Sequence, residues 1–62
     1  MEMLPQERCQ SIVAQVARTG RARLRDLQRR LRVSSASVRR YVTELEARGL
    51  VVRVHGGVMH PS

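Results

Sequence analysis

The sequence predicts a mainly α-helical fold of three short helices that ends in a small β-hairpin. In three separate segments, apolar residues recur every three or four positions, which is the period of an α-helix with one buried face. After the last segment the period changes to two and a pair of glycines follows, which is typical of a hairpin. This order of elements is that of a three-helix winged helix-turn-helix, and 62 residues allow one such domain, over residues 1–62.

The first helix is expected to begin near Pro5 and to end at Gly20. Proline is tolerated in the first turn, where its missing N–H costs nothing, and glycine is common just beyond a helix end. The predicted apolar face consists of Cys9, Ile12, Val13, Val16 and Ala17. The segment Arg21 to Arg23 is too short for a helix, and we expect a single strand pairing there.

The second helix is predicted from an apolar stripe of Leu24, Leu27 and Leu31. Asp26 suits the dipole of its first turn. The segment Arg32 to Ser34 then supplies the turn to the next helix.

The third helix is expected from about Ser35 to Arg48, with Gly49 as a left-handed stop. Ser34 is the predicted N-cap, because its hydroxyl accepts a hydrogen bond from an amide of the first turn. The predicted buried stripe consists of Val38, Val42 and Leu45.

The hairpin begins after Leu50, where side chains alternate between two faces. Leu50, Val52 and Val54 are expected to face one way, while Val51, Arg53 and His55 face the other. Gly56 and Gly57 suit a two-residue turn with positive φ, and Val58 to His60 is expected to return as the second strand, which Pro61 ends.

The charge of the chain favours a polyanionic partner. Twelve arginines stand against five acidic residues, which gives a formal net charge of +7. A guanidinium presents a planar fork of donors that matches phosphates and guanine edges, so for so small a chain nucleic acid is the leading candidate.

No segment predicts catalysis, a metal site or a cofactor. Cys9, His55 and His60 do not form a zinc site of recognisable spacing, and no nucleophile has an evident base. A single cysteine excludes an internal disulfide, no apolar run approaches the ~20 residues of a membrane span, and the N-terminus lacks the layout of a signal peptide. The expected protein is a soluble, cytoplasmic binding module without a membrane partner.

Two motifs resemble the DNA-binding domain of the DeoR family of bacterial regulators. They are VSxxSVRRYVxELExxGLVxRVHGG, from Val33 to Gly57, and G-x-A-x-L-x-D-L, from Gly20 to Leu27. One departure is Tyr41, where the family usually has aspartate after the arginine pair. The departure leaves the fold prediction intact and affects the local arginine geometry.

The resemblance implies a reading head for double-stranded DNA in a repressor of a carbohydrate-utilisation operon. Family members generally carry a larger effector domain that senses sugar phosphates after the winged helix-turn-helix, and this chain stops just after the wing. The implied parent protein is a homo-oligomer with a sugar-phosphate effector. The isolated chain is expected to be a monomer, because it has little apolar surface beyond its own core.

The candidate DNA-binding residues lie in the second helix, the third helix and the wing, since a helix-turn-helix places its second helix in the major groove. They are Arg29, Ser34, Ser35, Ala36, Ser37, Arg39, Arg40, Thr43, Arg53, His55 and Gly56.

Each candidate also has a structural interpretation. The hydroxyl groups could serve only as local caps, the arginines of the second helix could form a basic patch without a role, and the glycines could serve the turn alone. Arg40 could pair with Glu44 at i+4. Tyr41 is expected as a core-edge ring whose hydroxyl could reach a phosphate.

Two alternative functions remain open at this point. An RNA-binding module would also be basic, but Tyr41 is the only aromatic residue and does not make a stacking platform for bases. A winged helix that docks proteins would need an exposed apolar patch, whereas the predicted outer faces are rich in arginine.

Overall fold

A computed structural model describes residues 4–61 of the chain, in which three helices and three strands follow one another in the order that the sequence predicts. The elements are α1 (Pro5–Thr19), β1 (Arg21–Arg23), α2 (Leu24–Leu31), α3 (Ser35–Ala47), β2 (Val52–Val54) and β3 (Gly57–Met59). The fold class is therefore confirmed as mainly helical with a small antiparallel sheet, consistent with a winged helix-turn-helix.

The helix ends agree with the predicted start and stop residues. Pro5 is the first residue of α1, and Gly20 follows the helix with a φ of 86°. The Ser34 hydroxyl caps α3 by accepting from the Ser37 amide, and α3 ends at Ala47, one residue earlier than expected. Gly49 then adopts a φ of 75°. None of these three helices combines the length and the apolar character that a membrane span requires within residues 4–61.

The core lies between the three helices and the inner face of the sheet. Every residue of the stripe predicted on α3 is buried, and Leu27 and Leu31 bury the inner side of α2. Ile12 and Val16 supply the contribution of α1, with Cys9 and Val13 packed at its edge. Ala17, which was predicted on this face, is exposed, so the buried stripe of α1 is narrower than the sequence indicates.

The sheet has the strand order β1-β3-β2, so β3 lies in the middle and both of its neighbours are antiparallel to it. The predicted strand pairing of Arg21 to Arg23 is confirmed, because Ala22 pairs with Val58 of β3. On the other side of β3, Val58 pairs with Arg53 of β2. The sheet thus joins the segment between α1 and α2 to the hairpin.

The hairpin turn lies one residue earlier than the sequence predicts. Val54 pairs with Gly57, so the two turn residues are His55 and Gly56, and Gly57 is the first residue of β3. Only Gly56 of the two glycines has a positive φ, at 76°. The predicted turn at the glycine pair is therefore wrong.

Side chains along β2 alternate between two faces as expected, and the face that includes Val51 is the one that packs on the core. Val51 is 2% exposed, whereas Leu50 and Val52 are 41% and 45% exposed. Because β2 is an edge strand, only part of its inner face reaches the core, and Arg53 on that same face remains exposed near the turn.

Candidate nucleic-acid interface

The start of α3 is held in place by short local contacts. Arg32 adopts the left-handed conformation with a φ of 56°, which turns the chain sharply after α2. The Ser37 amide donates to the Ser34 hydroxyl at 3.2 Å, and the Ser34 hydroxyl donates to the Ser37 hydroxyl at 3.1 Å. The predicted capping role of Ser34 is confirmed. Both hydroxyl oxygens keep a further lone pair that could accept from a ligand.

The first turn of α3 offers an approach for an anion. It contains no acidic residue, and Ser35 and Ala36 are exposed there. The partial positive charge at a helix N-terminus attracts phosphate groups. An absence of carboxylates in this turn means that nothing on the helix itself competes for that charge.

Arg39, Arg40 and Thr43 lie on the exposed side of α3, opposite the buried stripe. Neither guanidinium forms a hydrogen bond or an ion pair within residues 4–61. The Thr43 hydroxyl donates to the Arg39 carbonyl at 2.8 Å, so its proton serves the helix and its oxygen remains an acceptor. The two arginines are therefore free to donate to a ligand.

Glu44 pairs with Arg48 and leaves Arg40 unpaired. The Arg48 guanidinium donates to the Glu44 carboxylate at 3.0 Å. An acidic residue four positions before a basic one is the more favourable orientation in a helix. The pairing of Arg40 with Glu44 that the sequence allows is thus absent, which strengthens the view of Arg40 as a ligand-binding group.

The basic residues of α2 occupy two sides of the helix. Arg25 and Arg29 are spaced four residues apart and lie on one side, with Arg32 continuing the row just past the helix end. Asp26 and Arg30 are also spaced four residues apart, and both line a small hollow with Gln15 of α1, which Arg29 borders as well. Arg29 is the candidate from this helix, and Arg30 projects about 100° away from it around the helix axis.

The wing is a short hairpin fastened to α2. Its candidate residues Arg53, His55 and Gly56 are all exposed. The Gly56 carbonyl accepts a hydrogen bond from the Leu24 amide at 3.0 Å. The Gly56 carbonyl therefore serves the fold, and the exposed side chains of Arg53 and His55 remain the better candidates for contact with a ligand.

Tyr41 does not reach the exposed face of α3. Its ring is 7% exposed, and its hydroxyl accepts a hydrogen bond from Nη1 of Arg8 at 2.9 Å. The hydroxyl is thus engaged by Arg8 on the side of α1, and its contact with a phosphate stays a prediction. The residue that departs from the family pattern thus ties two helices together.

A second hollow, of about 630 Å³, lies between α1 and the C-terminal half of α3. Cys9 lies on its wall. Burial raises the pKa of the Cys9 thiol above its ordinary value, the Glu44 carboxylate adds to this effect, and the Arg48 guanidinium opposes it. The thiol is therefore neutral near pH 7. Within residues 4–61, no three His, Cys, Asp or Glu side chains are grouped as metal ligands would be.

The comparisons with known proteins agree with this geometry. The family described as the DeoR-like helix-turn-helix domain matches residues 8–62. The chain is 40% identical over 55 residues to the lactose phosphotransferase system repressor of Streptococcus mutans, a match that covers 89% of this chain and 22% of that repressor. It is 42% identical over 59 residues to the uncharacterized HTH-type transcriptional regulator YgbI of Escherichia coli, covering 95% and 23%.

The chain thus spans less than a quarter of the length of these curated relatives. No solved structure matches it.

Proposed function

This chain belongs to the DeoR-like helix-turn-helix family and is a DNA-binding domain of transcription regulation, and we propose that it reads double-stranded DNA with α3 in the major groove. The observation that carries the proposal is the exposed side of α3. Arg39 and Arg40 extend from a helix anchored by its buried stripe, and neither guanidinium is engaged within residues 4–61. Bidentate contact of arginine with guanine is the commonest specific contact in the major groove.

The remaining candidates have supporting roles in this proposal. Ser35, Ser37 and Thr43 accept or donate at phosphates and base edges, and Ala36 meets a thymine methyl. Arg29 of α2 and the side chains of the wing hold the phosphate backbone. Such contacts orient a protein on the duplex and carry no sequence information by themselves.

Single-stranded RNA fits this surface less well than duplex DNA. Bases of unpaired RNA stack on exposed aromatic rings, and Tyr41 is the only aromatic residue of the chain. Its ring is buried against α1. A direct competition between a duplex that the domain selects from a randomised library and a single-stranded RNA of the same length should therefore favour the duplex.

We further propose that the parent protein represses a carbohydrate-utilisation operon in the bacterial cytoplasm. The name of the Streptococcus mutans relative, a lactose phosphotransferase system repressor, supports the class of operon. The matched region is less than a quarter of each relative, and the resemblance to the DeoR family implies a homo-oligomer with a sugar-phosphate effector in the remainder. By this proposal the isolated domain 1–62 is a monomer that binds one half-site weakly and does not respond to sugar phosphates.

The test begins with a duplex that the domain selects from a randomised library. The log-log slope of affinity against salt should be about −4 to −6 on a random duplex if five or six phosphates are contacted. Arg39→Ala and Arg40→Ala should each weaken binding of the selected duplex by ~1–3 kcal/mol and relax its sequence preference.

Arg18→Ala is the matched control, because it removes the same charge from an exposed position at the end of α1, where the guanidinium donates to the Gln15 side chain. A salt slope near zero would refute DNA binding. Equal losses for all three variants would refute α3 as the reading helix.

A further inference from the structure

We propose that Arg23 and Arg25 belong to the DNA interface and form, with Arg53, one phosphate-binding cluster around the tip of the wing. The inference rests on the proposed function and adds two residues to it. Neither residue lies in the wing or in α3, so the linear sequence does not place them beside the candidates. The pairing of β1 with β3 is what brings them close to the wing.

The wing is too short to stand free of β1. Its two strands have three residues each, and the turn His55–Gly56 follows directly on the pair formed by Val54 and Gly57. The same Gly57 pairs with Arg23 on its other side. The tip of the wing therefore lies level with the last residue of β1, and a surface that meets the tip also meets Arg23.

A hydrogen bond joins the tip to the start of α2. The Leu24 amide donates to the Gly56 carbonyl at 3.0 Å. Leu24 is flanked in the chain by Arg23 and Arg25, and both of these side chains are exposed. The two arginines therefore lie on either side of the residue that contacts the tip.

Gly57 allows this close approach of β1 and the wing. A Cβ atom at Gly57 would collide with the carbonyl oxygen of Ala22 and would lie 3.2 Å from the Arg23 Cα. The contact atoms belong to the backbone, so no side-chain rotation relieves the collision. A glycine at this position keeps Arg23 beside the turn.

The cluster surrounds the tip on both faces of the sheet. Directly paired residues project to the same face, so Arg23 shares a face with Val54, while Arg53 shares the opposite face with Ala22. Two strand spacings separate Arg23 from the β2 strand, which is about 10 Å. One DNA strand carries about three phosphates over that distance along the helix axis.

The charges of the cluster are not neutralised by the part of the chain that the structure describes. The arginines at positions 23, 25 and 53 form no ion pair within residues 4–61. Asp26, the acidic neighbour of Arg25 in the chain, instead borders the hollow between α2 and α1. Three positive charges around one hairpin turn favour a polyanionic partner, and a row of backbone phosphates is such a partner.

The test compares Arg23→Gln and Arg25→Gln with Arg30→Gln, which removes the same charge from the other side of α2. Each of the first two should reduce the salt slope by about 1 and weaken binding roughly 5- to 10-fold at 0.1 M salt. The loss should be the same on the selected and random duplexes, because phosphates carry no sequence information. Arg30→Gln should change affinity less than 2-fold, by the same reasoning.

Arg23→Lys and Arg25→Lys keep the positive charge, so they should leave the salt slope unchanged. That result would show that the losses in the two Gln variants come from the missing charge and not from an effect on folding. If the two Gln variants behave like Arg30→Gln while Arg39→Ala still loses affinity, the cluster is refuted and the proposed function stands. If the unsubstituted domain binds no duplex at all, the proposed function itself fails. A changed sequence preference in Arg23→Gln or Arg25→Gln would refute the assignment to phosphates.

Discussion

Replacement of Gly57 by alanine should destabilise the domain far more than a replacement of its neighbour Gly56. The two glycines are adjacent in the sequence, yet the structure gives them different constraints. Gly56 has a φ of 76°, and a Cβ atom there would meet nothing within 4 Å. Gly57 has no positive φ, and a Cβ there would collide with the Ala22 carbonyl group and lie 3.2 Å from its carbon.

The magnitude follows from the contacts of the added methyl group. Relief of the collision requires β1 to move by about 1 Å, because overpacked sites shift the backbone when no side chain can rotate away, at a cost of ~1–3 kcal/mol. Each β1–β3 hydrogen bond that weakens adds ~0.5–1.5 kcal/mol. We expect a total of ~2–4 kcal/mol for Gly57→Ala, out of roughly 3–9 kcal/mol available to a domain of this size.

Gly56→Asn is the control, because asparagine tolerates the left-handed conformation and a Cβ atom there meets nothing within 4 Å. We expect it to lose less than ~1 kcal/mol. The measurement is urea unfolding followed by far-UV circular dichroism, with thermal melting as a second probe. A loss of ~2–4 kcal/mol should lower the midpoint by more than ~10 °C. Equal stability of the two variants would show that β1 does not approach the wing as described.

Two further predictions concern α3. Tyr41→Phe removes the hydrogen bond from Arg8 and should lower the free energy of unfolding by ~1–3 kcal/mol. DNA affinity should change little. A large loss of affinity at unchanged stability would instead show that the hydroxyl contacts the DNA. Ser34→Ala removes the cap that Ser37 donates to and should cost ~0.5–2 kcal/mol of stability. Ser34→Asp should keep the cap but weaken DNA binding by charge repulsion, and a duplex affinity equal to that of the parent domain would remove Ser34 from the interface.

The helices could be predicted from the sequence because each contains a full apolar stripe and a recognisable end. The predicted stripe of Val38, Val42 and Leu45 is buried on α3, and both Gly20 and Gly49 adopt the left-handed conformation after a helix. The exposed side of α3 follows directly from the buried one. This is why the exposure of Arg39 and Arg40 could be predicted before the fold was known.

The details of the sheet could not be predicted in the same way. Strands of three residues contain hardly more than one period of alternation, so the sequence distinguishes two faces without indicating which is buried. The choice of Val51 over Val52 depends on the position of β2 at the edge of the sheet. The turn is likewise set by the pairing of Val54 with Gly57, and two adjacent glycines fit either register.

Contacts between residues distant in the chain could not be predicted from the sequence either. Arg8 and Tyr41 are 33 positions apart, and no local pattern connects them. Glu44 has an arginine four residues away in each direction, and the two candidates differ only in the orientation of the pair relative to the helix dipole. The structure selects Arg48, and that selection leaves Arg40 free for the proposed DNA contact.

The same arginines link the stability of the domain to its proposed partner. Twelve arginines against five acidic residues give net self-repulsion, and residues 4–61 contain one ion pair to offset it. Salt screens this repulsion and stabilises the free domain, whereas salt weakens a complex that depends on phosphate contacts. Duplex DNA would neutralise the arginines in place of the salt anions. Because DNA would bind the folded state and not the unfolded one, its binding would raise the apparent stability by mass action. The charge that limits the stability of the free domain is therefore the charge that a bound duplex would neutralise.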